Sequence, residues 1–535
     1  MASSSKKTYV EVTVNVKRKP SELRDRIEFS PVPQKVDFTG GKFPFPASIK
    51  IEGLKCSNPE DEGTLTSLKE FISSLNGISI IAGTQKGWCV RFCQDKKIKN
   101  SEAYKLKISK NYAEIKASGA AGLFYGAQTL IQVLGCSYNV ALIAGPNRIA
   151  EEDAHNKRWI PEMVIEDSPA YKVRSFMVDA GRAPFTMPLL KRIVRIMAHL
   201  KLNTLHFHAF DDQLCGVKFN RIPLGSENPY AITIDELAEL VRYAARYHVN
   251  LMPEIESWGH VQSVIYHYPE LYGCPGMWGG MSFGVGKKTY DLLAKIYDEV
   301  IEVLPKKAML HVGMDEANWR TLPGEKANAH TPANMVKKVY ELVLAAAKKH
   351  KKSVEMHLWA DHGGRPLMPE IKNRVVIEPW KYRQNDENDI IKTMEQYGGE
   401  GKTAVMMGAG WSSIHLQGSY EATRIWAREG LKYPNVLGIT NCMWESNDLA
   451  GQMIGLYGGA AYSWNPLKPE NTERDPIYED VRCFMLRRML HWQGYFSDAD
   501  PEQINIDRGP FVVGGIYAFG PLTGKYVSPT VNFKM

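Results

Sequence analysis

The chain of 535 residues lacks any run of about 18 consecutive apolar residues, the length that a membrane-spanning helix needs. Its first residues, Met1 to Lys7, lead into Thr8 to Val12 without the apolar core of a secretory signal. We therefore expect a soluble protein that has no membrane partner and stays in the cytoplasm. A secreted form whose leader had been removed would have the same sequence, so that alternative stays open.

The sequence is also poor in paired cysteines. Its eight cysteines are scattered, Cys89 and Cys93 are the closest pair, and no Cys-x-x-Cys occurs. This pattern argues against disulfides and against cysteine-based zinc sites. Free thiols suit a reducing cytoplasm.

No strong charge excess is present. The 66 basic and 59 acidic residues leave a net charge of +7 that is spread over the whole chain, which argues against nucleic acid as a partner. A hydrophobic content of 44% is ample for packed cores, and the length predicts two or three domains. The sequence leaves the oligomeric state open, a dimer included.

Residues 1–160 mix short β-rich runs with helical stretches, which predicts a small α+β domain. The predicted strands are residues 10–16, 48–51 and 104–109, and one helix is predicted near Leu68 to Leu75. A second helix follows Gly119, because Leu123, Ala127, Leu130 and Leu134 share one helical face.

Residues 161–494 alternate short apolar strands with amphipathic helices, which predicts a (β/α)₈ barrel of the TIM type. The eight predicted strands are residues 174–179, 203–210, 249–255, 308–314, 353–359, 374–380, 403–408 and 436–444. Thr233 to Glu236 reads as a capping box, and Thr331 before Pro332 as another helix start. Residues 495–535 fit neither pattern and form a C-terminal extension with no assigned role.

Polar and aromatic residues gather at the predicted carboxyl ends of the barrel strands, where barrel enzymes place their active sites. Asp315 and Glu316 end the fourth strand as two adjacent carboxylates, a pattern that acid/base chemistry uses. The others at strand ends include Asp179, Arg182, His206, His208, Asp211, Asp212, Glu254, Glu256, His260, His311, Trp359, Asp361, Glu378, Trp380, Trp444 and Glu445. Several carboxylates, one arginine and three tryptophans are typical of a sugar site, with acids to cleave a glycosidic bond and aromatic faces for pyranose rings.

Five ordered motifs carry a family resemblance. They are GLFYGAQTL from Gly122, RSFMVDAGR from Arg174, LNTLHFHAFDDQ from Leu202, MPEIESWGH from Met252 and HVGMDE from His311. Together they resemble family 20 glycoside hydrolases, the β-N-acetylhexosaminidases, over roughly residues 110–450. The resemblance implies a retaining exo-glycosidase that removes terminal β-linked N-acetylglucosamine or N-acetylgalactosamine from glycans or glycoconjugates. It implies no cofactor and no metal, and a nucleophile supplied by the substrate's own 2-acetamido oxygen.

The same resemblance implies a role for each matching residue. Glu316 is similar to the family's general acid/base, and Asp315 to the residue that orients the acetamido N–H. Substrate-binding roles are implied for Arg182, Asp211, His260, Trp359, Trp380, Trp444 and Glu445. Glu256 and His208 are expected to support these residues from behind.

Several positions depart from the usual family pattern. Glu256 stands where the family usually has Asp, Trp258 replaces a Pro, and Met314 replaces a second Gly. The Tyr-x-Asp expected after the seventh strand is absent from residues 410–413, so the residue that holds the acetamido carbonyl is unassigned. The altered motif after Trp444 leaves the sugar epimer open.

Two other classes of function stay under consideration. His206 and His208 form a His-x-His on one strand, a spacing that metal-dependent amidohydrolase barrels use. Such barrels place the pair on the first strand, whereas here it lies on the second. A non-catalytic sugar-binding barrel is the other alternative, and the presence of Asp315, Glu316, Arg182 and His260 together argues against it.

Overall fold

The computed structural model describes residues 29–73, 75, 77–82, 85–138, 159–326, 331–360, 367–382, 386–412, 419–445 and 449–466. The strand predicted at 10–16, the loop residue Asp361 and the extension 495–535 lie outside these residues. Among the described residues, no helix combines the length and the apolar character needed to cross a membrane.

The small N-terminal domain is built on a mixed seven-stranded sheet in the order β1-β7-β5-β6-β4-β2-β3. Its strands are β1 (Lys35–Pro44), β2 (Ser48–Glu52), β3 (Ser79–Ile81), β4 (Trp88–Gln94), β5 (Tyr104–Ile108), β6 (Tyr112–Ala117) and β7 (Trp159–Asp167). Two helices accompany the sheet, α1 (Pro59–Ser73) and α2 (Ala120–Tyr138). The predicted apolar face of α2 is buried, from Leu123 through Leu134. Because β7 runs on to Asp167, the sheet passes the predicted boundary at residue 160, and that boundary stays a prediction.

Eight parallel strands close into a barrel, as the sequence predicts. They are β8 (Val173–Asp179), β9 (Thr204–His208), β12 (Asn250–Glu254), β15 (Lys307–His311), β16 (Ser353–Trp359), β17 (Val375–Glu378), β18 (Ala404–Ser412) and β19 (Val436–Trp444). Short pairs lie in the loops: β10 (Val217–Lys218) with β11 (Ile232–Thr233), and β13 (Tyr272–Pro275) with β14 (Met281–Phe283).

Helices lie between the barrel strands and after the last of them. They are α3 (Met187–His199), α4 (Ile234–Arg246), α5 (Gln262–Ile265), α6 (Lys287–Val303), α7 (Pro332–Lys349), α8 (Glu387–Tyr397), α9 (Ser419–Gly430) and α10 (Leu449–Trp464). Helix α4 opens with the predicted capping box, since Thr233 and Glu236 exchange side-chain and backbone hydrogen bonds. Helix α7 begins with Thr331 as its N-cap and Pro332 at the first helical position.

Two ion pairs, one partly and one fully buried, join the small domain to the barrel. Arg174 of β8 donates to both carboxylate oxygens of Glu102, at 2.9 and 2.8 Å. Lys201, just after α3, lies 3.0 Å from Asp167 at the end of β7, and both side chains are fully buried. The barrel supplies the cation and the small domain the anion in each pair.

Candidate active site

The two adjacent carboxylates lie in a tight loop after β15. The strand ends at His311, three residues before the predicted end at Met314. Gly313 and Met314 have φ values of 62° and 76°, in the left-handed region that a strand cannot continue through. Glu316 also has a positive φ, of 44°. The chain therefore turns out of the barrel wall just before Asp315 and Glu316.

His260 faces both carboxylates from the loop after β12. Its Nε2 atom lies 3.3 Å from Oε2 of Glu316 and 3.7 Å from Oδ2 of Asp315. Burial of the ring would lower the pKa of His260, but the negative charges of Asp211 and Asp315 outweigh it and raise this pKa well above its ordinary value. His260 therefore stays protonated at neutral pH as a cation beside the two acids.

Two further carboxylates hold the other side of the His260 ring. Nδ1 lies 3.2 Å from Oδ2 of Asp212 and 3.4 Å from Oδ1 of Asp211. Burial would raise the pKa of Asp211, but Arg182 and His260 hold it well below its usual range. Asp211 is thus an anion beside both Arg182 and His260.

Arg182 lies between two carboxylates, Asp179 at the end of β8 and Asp211 in the loop after β9. Its Nη1 atom donates to Asp179 at 3.0 Å, and Nη2 lies 2.7 Å from Asp211. The guanidinium also lies over the Trp444 ring, 5.3 Å from the ring centroid. Burial would lower the pKa of Arg182, but Asp211, Asp179 and Glu445 raise it well above its ordinary value. The group is permanently charged and fixed in orientation.

A polar layer lies across the barrel beneath these residues. The strand register places Asp179, His208, Glu254 and His311 side by side on four neighbouring strands. Glu254 accepts from Trp359 Nε1 at 2.6 Å and pairs with His208 Nδ1 at 2.6 Å. His208 reaches Asp211 with its other nitrogen, at 2.9 Å. His208 therefore connects the interior layer to the carboxylate that holds Arg182 and His260.

The charge states in this layer follow from its pairing. Burial would lower the pKa of His208, but the charge of Glu254 and the hydrogen bond to Asp211 raise it to about 10. Burial would raise the pKa of Glu254, but His208 and His311 hold it well below its usual range. Burial lowers the pKa of His311 to about 4, so that ring is neutral. The His208 imidazolium and the Glu254 carboxylate of this layer are therefore in direct contact as an ion pair.

Glu256 supports the catalytic loop from behind. It is fully buried, and its Oε2 atom accepts from the backbone N–H of Met314 at 3.2 Å. A Cβ atom on Gly313 would fall 2.0 Å from the same oxygen, so any other residue there would be strained at its φ of 62° and would displace the Glu256 carboxyl group. Burial, and then the charge of Asp315, raise the pKa of Glu256 well above its usual range. Its surroundings therefore favour the neutral, protonated form of Glu256.

The three predicted tryptophans belong to one hydrophobic cluster. Trp359 is buried and lies 5.8 Å from Trp444, centroid to centroid. Trp380 stacks on Tyr382 at 5.4 Å, and Trp444 Nε1 donates to the Tyr382 hydroxyl at 2.9 Å. Trp380 and Trp444 are only partly buried. Their exposed surfaces, rather than that of Trp359, are available to a ligand.

The predicted site residues converge at this end of the barrel. Glu445 joins them through its backbone N–H, which donates to Asp179 at 2.9 Å. Sequence reasoning gave no role to Tyr382 or to Asp212. The Trp380-Lys381-Tyr382 spacing was a usable signal for Tyr382, since alternate residues of an extended segment share a face. After the seventh barrel strand, where the Tyr-x-Asp was expected, the side chains of Trp411 and of Tyr420, the next tyrosine along the chain, lie outside the described part of the structure.

Comparison with protein families decides the assignment. The family model described as "Glycosyl hydrolase family 20, catalytic domain" matches residues 171–445, just over half of the chain. A second one, "Glycosyl hydrolase family 20, domain 2", matches residues 27–168. The chain belongs to glycosyl hydrolase family 20. The two matched ranges meet between β7 and β8, where the small domain gives way to the barrel.

Curated family 20 relatives match part of the chain. A β-hexosaminidase of Porphyromonas gingivalis is 26% identical over 284 residues, 48% of this chain and 34% of the relative. A β-N-acetylhexosaminidase of Cellulomonas fimi is 29% identical over 239 residues, 40% of this chain and 44% of the relative. The chain thus spans less than half the length of these relatives.

Solved family 20 structures share the fold. A chitobiase from Flavobacterium johnsoniae gives a TM-score of 0.67 at 19% identity, covering 90% of this chain and 75% of that one. An exo-β-N-acetylglucosaminidase from Vibrio harveyi, solved with N-acetylglucosamine, gives 0.63 at 18% identity, covering 87% of this chain and 77% of that one. The small domain followed by a barrel is therefore the family 20 architecture.

Proposed function

We propose that this chain is a retaining exo-β-N-acetylhexosaminidase that removes terminal β-linked N-acetylglucosamine or N-acetylgalactosamine. One observation carries the proposal: two adjacent carboxylates at the end of β15 face a single imidazolium, His260, at 3.3 and 3.7 Å. The family membership supports it, as do the names of the curated relatives. The substrates we propose are amino-sugar glycans or glycoconjugates.

In this proposal Glu316 acts first as the general acid. It gives its proton to the glycosidic oxygen as the bond from that oxygen to the anomeric carbon breaks. His260 contacts the same carboxyl group, and Asp211 and Asp212 hold its ring in place. Glu316 then takes a proton from the water that completes the reaction.

The nucleophile belongs to the substrate, a recognised exception to the scheme with two enzyme carboxylates. The 2-acetamido oxygen forms a bond to the anomeric carbon while the leaving group departs, which produces an oxazolinium ring. Asp315 accepts a hydrogen bond from the acetamido N–H and stabilises the positive charge on the ring as it develops. Water then opens the ring from the face that the leaving group vacated, so the anomeric configuration is retained.

The sugar lies against Trp444 and Trp380 in this proposal, with Arg182 and Glu445 toward its hydroxyl groups. The motif after Trp444 departs from the usual pattern, so we propose weak discrimination between the gluco and galacto epimers, or a shift toward galacto. A hydrogen-bonding site rejects an analogue strongly only when buried polar partners would be left unpaired. A gluco preference above about 10³ would overturn this part.

Metal-dependent hydrolysis is an alternative function, and the contacts of the described residues bear on it directly. His206, Glu254 and His311 each offer a ligand atom within 4.8 Å of the others. Glu254, however, already accepts from Trp359 at 2.6 Å and pairs with His208. Each Glu254 oxygen therefore already accepts a hydrogen bond that a bound metal would have to share. Loss of activity on addition of a chelator would indicate metal-dependent hydrolysis, and unchanged activity would indicate the proposed hexosaminidase.

The deciding experiment measures turnover of aryl N-acetyl-β-glucosaminide and N-acetyl-β-galactosaminide, with and without a chelator. We expect turnover that a chelator leaves unchanged, and no turnover of an aryl glucoside that lacks the acetamido group. A non-catalytic sugar-binding barrel would bind N-acetylglucosamine without turnover. Mass spectrometry after incubation with a 2-fluoro glycoside tests the mechanism, because a sugar ester on Asp315 would contradict substrate assistance.

A further inference from the structure

An unusual share of exposed hydrophobic side chains lies on one loop of the barrel. Tyr266, Tyr272 and Met277 are 37%, 41% and 37% exposed, and they are three of the eight exposed large hydrophobic residues in the described part of the chain. All three lie between β12 and the end of β14. Apolar surface gathered in one exposed place marks a binding surface more often than chance exposure does.

A cavity of about 340 Å³ opens between two of these residues. We call it the hairpin pocket, and its lining residues are Gln262, Ile265, Tyr266, Pro269, Tyr272 and Met281. Gln262 donates to the Tyr266 hydroxyl at 3.4 Å. The volume is within the range of small-molecule sites, and a mostly apolar lining with a few polar groups is typical of them.

The hairpin pocket is tied to the proposed acid by short contacts. Asp212 Oδ1 accepts from the backbone N–H groups of Gln262 and Met281, at 3.0 and 3.1 Å. Its Oδ2 lies 3.2 Å from His260 Nδ1, and His260 Nε2 lies 3.3 Å from Glu316. Two residues, Asp212 and His260, thus connect the pocket wall to the acid.

A second connection runs along the tip of the same hairpin. The backbone N–H of Met277 donates to the carbonyl oxygen of Glu316 at 3.3 Å. Asn318 donates from its side chain to the carbonyl of Pro275 at 2.7 Å, and from its backbone to Ser282 at 3.1 Å. The hairpin that forms the pocket is therefore fixed to the loop that carries Glu316.

We propose that the hairpin pocket binds a sugar ring on the leaving-group side of an amino-sugar oligosaccharide. This inference rests on the proposed function, because the departing part of the glycan must lie on the side of the carboxyl group that protonates it. Tyr266 and Tyr272 offer apolar faces for the C–H surface of a pyranose, and Gln262 offers an amide for hydroxyl groups.

The lining also selects among glycans. None of the six lining residues carries a charged side chain. A sulfated or carboxylated sugar would lose hydration there without gaining a counter-ion, which costs free energy. The pocket therefore fits a neutral pyranose, such as a second N-acetylglucosamine.

The test compares an aryl N-acetyl-β-glucosaminide with β-1,4-linked di-, tri- and tetrasaccharides of N-acetylglucosamine. The variants are Tyr266→Ala and Tyr272→Ala. For the oligosaccharide whose added sugar reaches the pocket, the ratio of its kcat/KM to that of the aryl glycoside should fall about tenfold. Tyr272→Phe should preserve the ratio, because it keeps the ring.

Trp159→Ala is the matched control, since Trp159 is an exposed aromatic residue of the same 41% exposure, on β7 of the small domain. It should leave the ratio at the wild-type value. A thermal unfolding curve for each variant checks that it folds. An unchanged ratio for both tyrosine variants at every chain length overturns the proposal.

Other occupants give other results. A pocket for an apolar aglycone would make the tyrosine variants lose activity on a long-chain alkyl glycoside and not on the oligosaccharides. A pocket that binds a second copy of the chain would change the sedimentation velocity and not the ratio. Either result overturns the proposal.

Failure of the proposed function can be distinguished from failure of the hairpin pocket to bind a sugar. If the wild type turns over none of these substrates, calorimetric titration of the tetrasaccharide still compares wild type with Tyr272→Ala. Weaker binding by Tyr272→Ala would support the pocket alone. Equal binding would overturn it.

Discussion

The backbone N–H of Met314 donates a hydrogen bond of 3.2 Å to Oε2 of Glu256. These are two of the positions at which the chain departs from the usual family 20 pattern, so the two departures are in direct contact. The longer Glu side chain reaches under Gly313 to the amide of Met314, and Met314 adopts a left-handed conformation that glycine would adopt more easily. The pair sets the position of Asp315, the next residue.

Glu256→Gln tests the neutral state of that carboxyl group. We expect kcat/KM within about threefold of wild type near pH 6, because Gln is neutral and keeps an oxygen for Met314 N–H. Because the folded pKa is raised, the stability that neutral Glu256 provides is present at low pH and lost as pH rises through that pKa. The variant should therefore lose less activity and stability than wild type on the alkaline side, measured by pH–rate profiles and thermal unfolding.

Glu256→Asp is the companion variant. It keeps the titrating group but is one methylene too short for the Met314 amide, so we expect lower activity at all pH values. Inactivity of Glu256→Gln across the whole range would show instead that a negative charge at position 256 is required.

Glu316→Gln tests the acid role. General acid catalysis contributes about 10² to 10⁴ in rate, and it matters most for poor leaving groups. We expect kcat/KM to fall by about that factor on disaccharides and by much less on an aryl glycoside with an activated leaving group. Glu395→Gln, at an exposed position on α8, is the control. Equal losses on both substrates would remove the acid role from Glu316.

Glu378→Gln tests a buried carboxyl group at the end of β17. The side chain is fully buried, and burial raises its pKa to about 7. The stability that neutral Glu378 contributes is fully present below the unfolded pKa and is lost as pH rises through the folded value of about 7, at a cost on the order of 3 kcal/mol. Thermal unfolding should show the variant gaining stability over wild type at pH 8 and little at pH 4. A gain that does not depend on pH would contradict this origin.

Asp167→Ala tests the buried pair that joins the domains. The change leaves Lys201 as an uncompensated charge between the small domain and the barrel, and we expect a loss of about 3 to 5 kcal/mol in chemical unfolding. Lys201→Met combined with Asp167→Leu should recover most of the loss, because apolar replacement of a buried pair is often neutral. Lys105→Met, at an exposed ion pair on β5, should change stability little. A double variant no better than Asp167→Ala would show that the pair's hydrogen bonds dominate.

The barrel strands were predictable because each is an apolar run bounded by polar residues. The predicted starts and ends of β8 and β12 each lie within one residue of the observed ones. The end of β15 could not be predicted in this way, because no apolar pattern indicates that Gly313 and Met314 adopt a left-handed backbone conformation. Helix α1 begins at Pro59, well before the predicted Leu68, and Asn58 before Pro59 was an unused helix-start signal.

The residues that form the site could be predicted from the sequence, but the hydrogen bonds that connect them could not. Strand ends identify which side chains converge, because parallel strands end at one face of the barrel. The links from His208 to Asp211 and from Asp212 to His260 depend on rotamers and loop paths, which no local pattern encodes. The hairpin pocket was missed for the same reason, since β13 and β14 are short and irregular.

Seven residues other than glycine adopt positive φ in the described chain, and they divide into two groups. Lys201, His248 and Lys351 follow helix ends, where this conformation is routine. The other four are His260, Met314, Glu316 and Glu445, all at the candidate active site, and such residues cost of order 1 to 3 kcal/mol each. Selection of this protein for heat resistance alone should therefore enrich glycine or asparagine at these four positions first. The selected variants should be more stable than the wild type and less active.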